Sequence, residues 1–452
     1  MCLACLVGML ASCSGSDYLN AIPKKSTALI SVDMQQMASD IHAEDKAGML
    51  KSLLHVEDVD KCGIDITKKM YLFESADGNL GLCAKVSSES DVEDWLASLA
   101  KQHIASEVKE RKGFHFAVLK DSWLVGFSDQ ALLVMGPVVA DAQAQLQQQM
   151  VRYLKAEEEE GITVSPLFER LQTITSPMAM VAQAQALPEK FIAPFTLGAP
   201  KDTDPSQVVI AAEMNVKDGI LQIHGETFSF NKTIDAALKK AAQTYHPIKG
   251  AYVKSMPGDA LAGIFMNVKG EQFLPMMQSN SSLQTLLMGI NQAVDMDNII
   301  RSVDGDMAIV MPTLGDADLK IMMAAKLAHS KWLGDVDYWK KSCPPGAKIA
   351  NWAKNAYFYT DGKTSFYFGV TDDKQFFSGS DELTAQYAVK PSNHPIDAKI
   401  QKLIVGQKLA MVINLAKSSD GSGTGKDDAI STVTGLLAPV FGNLTSVVYT
   451  LK

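Results

Sequence analysis

Cys13 is the residue whose neighbours assign it the most definite chemistry. It follows Leu10, Ala11 and Ser12, the lipobox order of an aliphatic residue and two small ones, in which the thiol receives diacylglycerol and the chain is cut just before it. Residues 3–10 (LACLVGML) are an apolar run too short to span a bilayer as a helix, so a cleaved signal is expected there. No Lys or Arg precedes the run, although such signals carry a basic leading region; this points to a start upstream of Met1. Residues 1–12 are therefore expected to be a lipoprotein signal peptide and 13–21 a tether. Ser14 rather than Asp follows the lipidated cysteine, and without that inner-membrane retention mark an outer-membrane location is expected.

Other constellations invite chemistry and carry less of it. Residues 421–426 (GSGTGK) resemble a phosphate loop, in which GxxxxGK and a following Ser or Thr wrap phosphates in backbone N–H groups. Asp420 stands at the first glycine position and Asp427 at the hydroxyl position, and both oppose an anion. Asp58-Val59-Asp60-Lys61-Cys62-Gly63 opens like an EF-hand loop, but Lys69 holds the twelfth position, where a bidentate Glu is required. Its aspartates read instead as caps of a turn or helix start. The eight histidines are scattered and no HExxH or GxSxG sequence occurs, so no catalytic residue, metal site or cofactor is assigned. Residues 295–306 (DMDNIIRSVDGD) gather carboxylates that an envelope hydrolase of glycan or peptide would need as an acid and base pair; solvated turn and helix-end positions are the alternative.

Aromatic residues suggest recognition instead. Trp339, Trp352, Tyr357, Tyr359 and Tyr367 fall in one stretch with Phe358, Phe366 and Phe368, and strand alternation sends these rings to both faces of a hairpin. An exposed face would form a platform for a protein or a glycan ligand. A covered face would be cross-strand packing.

The elements that must position these residues are read from composition and repetition. The 452 residues are 47% hydrophobic and 21% charged, ordinary for a globular chain long enough for two or three domains. The net charge of −9 disfavours nucleic acid, whose phosphates need clustered Lys and Arg. Of the six cysteines, Cys62, Cys83 and Cys343 remain after the signal and the lipidation site; Cys62 and Cys83 are either a disulfide or two buried thiols.

An internal repeat organises the rest. Residues 22–33 (IPKKSTALISVD) return as 256–267 (MPGDALAGIFMN), and Asp58-Val59-Asp60 before 70–73 returns as Asp295-Met296-Asp297 before 307–310. Trp95 and Trp339, each on an expected helix that it docks to a sheet, are the third landmark. Then come 126–129 with 369–372, 179–181 with 410–412, and 208–209 with 447–448. Lys217-Asp218-Gly219 marks a hairpin, because Asp-Gly supplies the positive φ angles of a tight turn. The second copy stops just after the first strand of that hairpin, so it either borrows its closing strand or ends early. The expected fold is α+β: two tandem related repeats, 22–245 and 246–452, each a mostly antiparallel sheet with helices packed on one face. Residues 140–161 read as a solvated Gln- and Glu-rich helix and 418–428 as a flexible loop.

The lipobox, the IPKKSTALISVD opening, the CGIDITKKMYLFES strand and the duplicated layout together resemble an uncharacterised lipoprotein family of the Bacteroidota, known as a domain of unknown function. The resemblance covers most of the chain and implies export, with no catalytic residues to carry over. The expected function is a membrane-anchored, non-enzymatic binding or assembly module of the cell envelope, held to the membrane through its N-terminal lipid, with the hydrolase as the rival.

Overall fold

The computed structural model describes residues 15–39, 58–187, 189–291, 293–313, 320–363, 365–415 and 444–451. The fold is mixed α+β with mostly antiparallel pairing, in two compact units, residues 1–181 and 182–452.

The first unit contains β1 (Ala28–Val32), β2 (Met70–Glu74), β3 (Leu80–Lys85), β4 (Lys109–Arg111), β5 (Phe114–Leu119), β6 (Trp123–Phe127) and β7 (Ala131–Gly136), with β8 (Met178–Gln183) at its end. Their pairings give the order β8-β1-β2-β3-β7-β6-β5-β4. On one face Tyr71, Cys83, Leu133, Gly126 and Phe116 lie in register. The 3-10 turn Asp17–Ala21 and the helix Ala140–Leu154 cover that face: the Cys83 thiol donates to Tyr18 O at 3.3 Å, and Met150 occupies the space a side chain on Gly126 would need. The opposite face is met by the helix Glu89–Lys101, which buries Val92, Leu96 and Leu99 and carries Glu89 to 3.1 Å from His115 Nδ1.

The second unit holds β9 (Val209–Lys217), β10 (Ile220–Phe228), β11 (Ala262–Lys269), β12 (Val303–Thr313), β13 (Lys320–Leu327), β14 (Lys348–Ala353), β15 (Ala356–Thr360), β16 (Ser365–Val370), β17 (Gln375–Gly379), β18 (Leu409–Asn414) and β19 (Ser446–Leu451). The order is β9-β10-β19-β18-β11-β12-β13-β17-β16-β15-β14. All these pairs are antiparallel except β10 with β19. The β9–β10 turn has Asp218 at φ 56° and Gly219 at φ 74°, the pair of positive angles that a two-residue hairpin takes.

Four expectations change against this structure. Helices cover both faces, because the strands bury neighbouring residues as well as alternate ones: β11 buries Ala262, Gly263, Phe265, Met266, Asn267 and Val268, the pattern of a doubly covered sheet. One face packs Phe265, Ala308, Ala324 and Phe377 with Tyr252, Ile400 and Ile404, and on the other Trp332 meets Phe368 and Phe376. The division falls at residue 181 rather than 245, since β19 pairs with β10 and draws residues 182–245 into the second unit. Within the expected tether, Tyr18, Leu19 and Ala21 are buried, and the Tyr18 hydroxyl donates to Lys69 O at 2.8 Å. The helix Ala140–Leu154 is not solvated all round; it buries Leu146, Met150 and Val151, and Gln149 is held by Asp77 at 2.7 Å and Tyr153 at 2.6 Å.

Candidate functional site

The residues singled out by sequence are dispersed. Cys13 and the 418–428 segment with its GSGTGK run lie outside the described residues. Trp339 is 5% exposed and stacks on the fully buried Trp332, centroids 6.0 Å apart and planes within 7°. It docks the helix Val336–Ser342 onto the sheet and offers no free ring face. Tyr357 sits between Phe368, at 5.6 Å, and the Lys340 ammonium, 5.2 Å from its ring. Tyr359 pairs across strands with Phe366 on the same face. Tyr367 turns to the other face, where it meets Phe358 and Trp352, and Trp352 also meets Phe377. Cross-strand packing thus engages most of the cluster, and Trp352, Tyr357, Phe358, Tyr359, Phe366 and Tyr367 all keep partial exposure.

Three of the four aspartates of 295–306 do separate structural jobs. Asp295 caps the helix Met296–Arg301 by accepting from Asn298 N at 2.9 Å. Asp297 accepts from Asn291 Nδ2 at 2.8 Å and Gln278 Nε2 at 2.6 Å. Asp306, 5% exposed, accepts from Lys249 N, Ala251 N and Asn267 Nδ2 at 2.8–2.9 Å. Three N–H donors on one buried carboxylate satisfy it without a cation and tie the loop before β11 to β12. The carbonyl of Asp58 accepts from Lys61 N in a 3-10 turn. Cys62, Cys83 and Cys343 are thiols not joined in a disulfide, the first two buried, and burial pushes the Cys83 thiol above its ordinary value. Among the described residues no group of three His, Cys, Asp or Glu is placed to hold a metal ion. Ser229 and Lys232 have the SxxK spacing of a serine nucleophile and its base, a pattern missed in the sequence. Ser229 Oγ instead donates to Gln207 O at 2.6 Å and accepts from Asn231 N at 3.1 Å.

The feature that sequence did not reveal is a cavity in the second unit. Its floor is the alternating face of β18 and β19: Leu409, Met411, Tyr449 and Leu451. These pair across the strands, Met411 directly opposite Tyr449. Its cover comes from the helices Glu189–Thr196 and Lys232–Ala242 through Phe195, Leu238, Ala241 and Ala242. The second helix starts firmly because the Asn231 side chain accepts from Thr233 N and Ile234 N, a standard N-cap. Gly198 lets the two helices close: its φ is +90°, and a Cβ there would lie 2.1 Å from that of Ala241. Pro194, which lines the cavity, lies inside the first helix.

The cavity is about 120 Å³, close to the engineered apolar cavities of about 150 Å³ that accept benzene. Phe195 meets Tyr449 edge-on at 4.9 Å, and Tyr245, also lining the cavity, meets Phe273 edge-on at 6.3 Å. Tyr449 is 6% exposed, and its buried hydroxyl has no hydrogen-bond partner. Thr227 bears on that hydroxyl without hydrogen-bond geometry. Burial pushes the phenols of both Tyr245 and Tyr449 well above their ordinary values. The rim carries Glu226 and Lys239, with Lys239 Nζ 2.8 Å from Asp235.

The chain belongs to a family described as a domain of unknown function, DUF4836, whose profile matches residues 32–400 and so runs through both units. No curated protein matches the chain. A solved structure, crystal form III of TP0453, is 8% identical and aligns over 82% of this chain and 96% of its own, at a TM-score of 0.24. Nothing is carried over from a likeness that distant.

Proposed function

We propose that this chain is a cell-envelope binding module without catalytic activity, tethered to the outer membrane through acyl chains on Cys13, and that it takes an apolar group into the cavity of its second unit. The cavity carries this reading. A pocket with apolar walls and a few convergent polar groups is the usual form of a ligand site. The two-copy organisation belongs to the same proposal. It is supported by the strand orders, since β8-β1-β2-β3-β7-β6-β5-β4 in one unit runs parallel to β18-β11-β12-β13-β17-β16-β15-β14 in the other. The lipobox at Cys13 supports the tether, which two acyl chains would make stable.

Both halves of the reading are testable. Cells given labelled palmitate should label the wild-type chain and not Cys13→Ala, with globomycin blocking its maturation; an unlabelled wild type, or a labelled variant, overturns the tether. Calorimetric titration of the purified full-length protein should show saturable binding of toluene. Ala242→Trp, which places an indole in the cavity from a half-buried position, should abolish it. Absence of binding by the wild type refutes the binding-module reading.

A further inference from the structure

Resting on that reading of the cavity, we infer that its ligand is a small neutral phenol or alcohol, with an apolar body of about benzene's size and one oxygen that bonds the Tyr449 hydroxyl. Three observations carry this. The volume of about 120 Å³ sets the body. Phe195, Leu238, Met411 and Leu451 supply aliphatic and aromatic wall that can take a hydrocarbon surface. The Tyr449 hydroxyl lines the cavity, is buried and has no hydrogen-bond partner. A buried phenol left without a partner costs free energy, and a ligand oxygen in the cavity would recover it.

Charge selects against the commonest alternative, a carboxylate. A carboxylate must compete for Lys239, the cation lining the cavity, with Asp235, which already holds it at 2.8 Å. The interior is no kinder, because the burial that holds Tyr245 and Tyr449 in their neutral forms penalises any other charge placed beside them. A neutral hydroxyl suffers neither penalty and can both donate to and accept from a phenol.

The experiment compares three probes of one shape on the purified full-length protein: toluene, p-cresol and 4-methylbenzoate. Calorimetry should rank p-cresol about tenfold tighter than toluene, the gain expected when a buried unsatisfied hydroxyl is paired, with 4-methylbenzoate weaker than both. Tyr449→Phe keeps the ring and its packing on Phe195 and should bring p-cresol down to the affinity of toluene, leaving toluene unchanged. If wild type binds toluene and p-cresol equally, or if Tyr449→Phe retains the preference, the inference is overturned while the cavity reading stands. Preference for 4-methylbenzoate overturns it as well, in favour of an anion site. If no probe binds, the cavity reading fails together with the inference. Thermal unfolding of Tyr449→Phe, expected at or above the wild-type midpoint, shows that loss of preference is not loss of fold.

Discussion

At the scale of single residues, burial separates aromatic side chains that a sequence presents as equals. Trp339 and Tyr359 both belong to the aromatic stretch of the second unit, yet Trp339 is 5% exposed against Trp332 while Tyr359 stays partly exposed beside Phe366. Truncating a buried Trp removes its transfer free energy and leaves a void, typically about 3–5 kcal/mol. A partly exposed cross-strand pair contributes about 1 kcal/mol or less. Urea unfolding of Trp339→Ala and Tyr359→Ala should therefore show a large fall in midpoint for the first and a small one for the second. Equal effects would mean that Trp339 does not dock its helix. The alternation 357–359 and 366–368 in the sequence correctly placed rings on both faces. It could not tell which face a helix would cover, because Trp332 and Phe376, which complete the contact, come from outside the stretch.

At the scale of elements, the turn Asp17–Ala21, β2 and β3 are held together by groups that burial keeps protonated. Tyr18 lies 6.4 Å from Tyr71, ring to ring, and the Cys83 thiol donates to the backbone of Tyr18. Desolvation by burial, first, raises all three above their ordinary values of 10.0, 10.0 and 9.0; for the two tyrosines neighbouring ionisable groups add to it. A group with a raised folded-state value contributes stability that is complete below its unfolded value and is lost as pH climbs through the folded one. Above pH 9.0, and further above 10.0, the unfolded chain releases protons that the folded chain retains. Stability should then fall by up to about 1.4 kcal/mol per pH unit for each group fully ionised only in the unfolded state. Thermal melts of the first unit's transition across this range should show the decline, and Tyr18→Phe with Cys83→Ala should flatten it; a midpoint that holds steady on the alkaline side refutes the assignment. Elements differed in how visible they were beforehand. The β9–β10 hairpin was legible because Asp218-Gly219 fixes its turn locally. The buried stripe of the helix Ala140–Leu154 was not, because Gln149 is buried through bonds to Asp77 and Tyr153 rather than through apolar character. The cavity was illegible for a related reason: its lining runs from Pro194 to Leu451, and no local pattern joins such distant positions.

At the scale of the whole molecule, the sequence pattern left the expected second repeat short of a closing strand, and in the structure β19 pairs with β10, a strand read from sequence as part of the expected first repeat. β10 pairs antiparallel with β9 on one side and parallel with β19 on the other, Ile220 through Gly225 matching Ser446 through Leu451. The repeat boundary read from sequence, at 245, would cut β10 away from β19. A fragment of residues 246–452 would thus expose the hydrogen-bonding edge of β19, and edges of that kind recruit other chains. It would also strip the cover from Leu409, Met411 and Tyr449, since Phe195, Leu238 and Ala241 all precede residue 246. A fragment of residues 182–452 keeps both the edge partner and the cover. The longer fragment should accordingly be soluble and unfold in a single cooperative urea transition. The shorter one should aggregate or lack such a transition. Should 246–452 fold cooperatively as a soluble monomer, β10 would be a passive neighbour rather than the strand that completes the second unit, and the boundary at 245 would be restored.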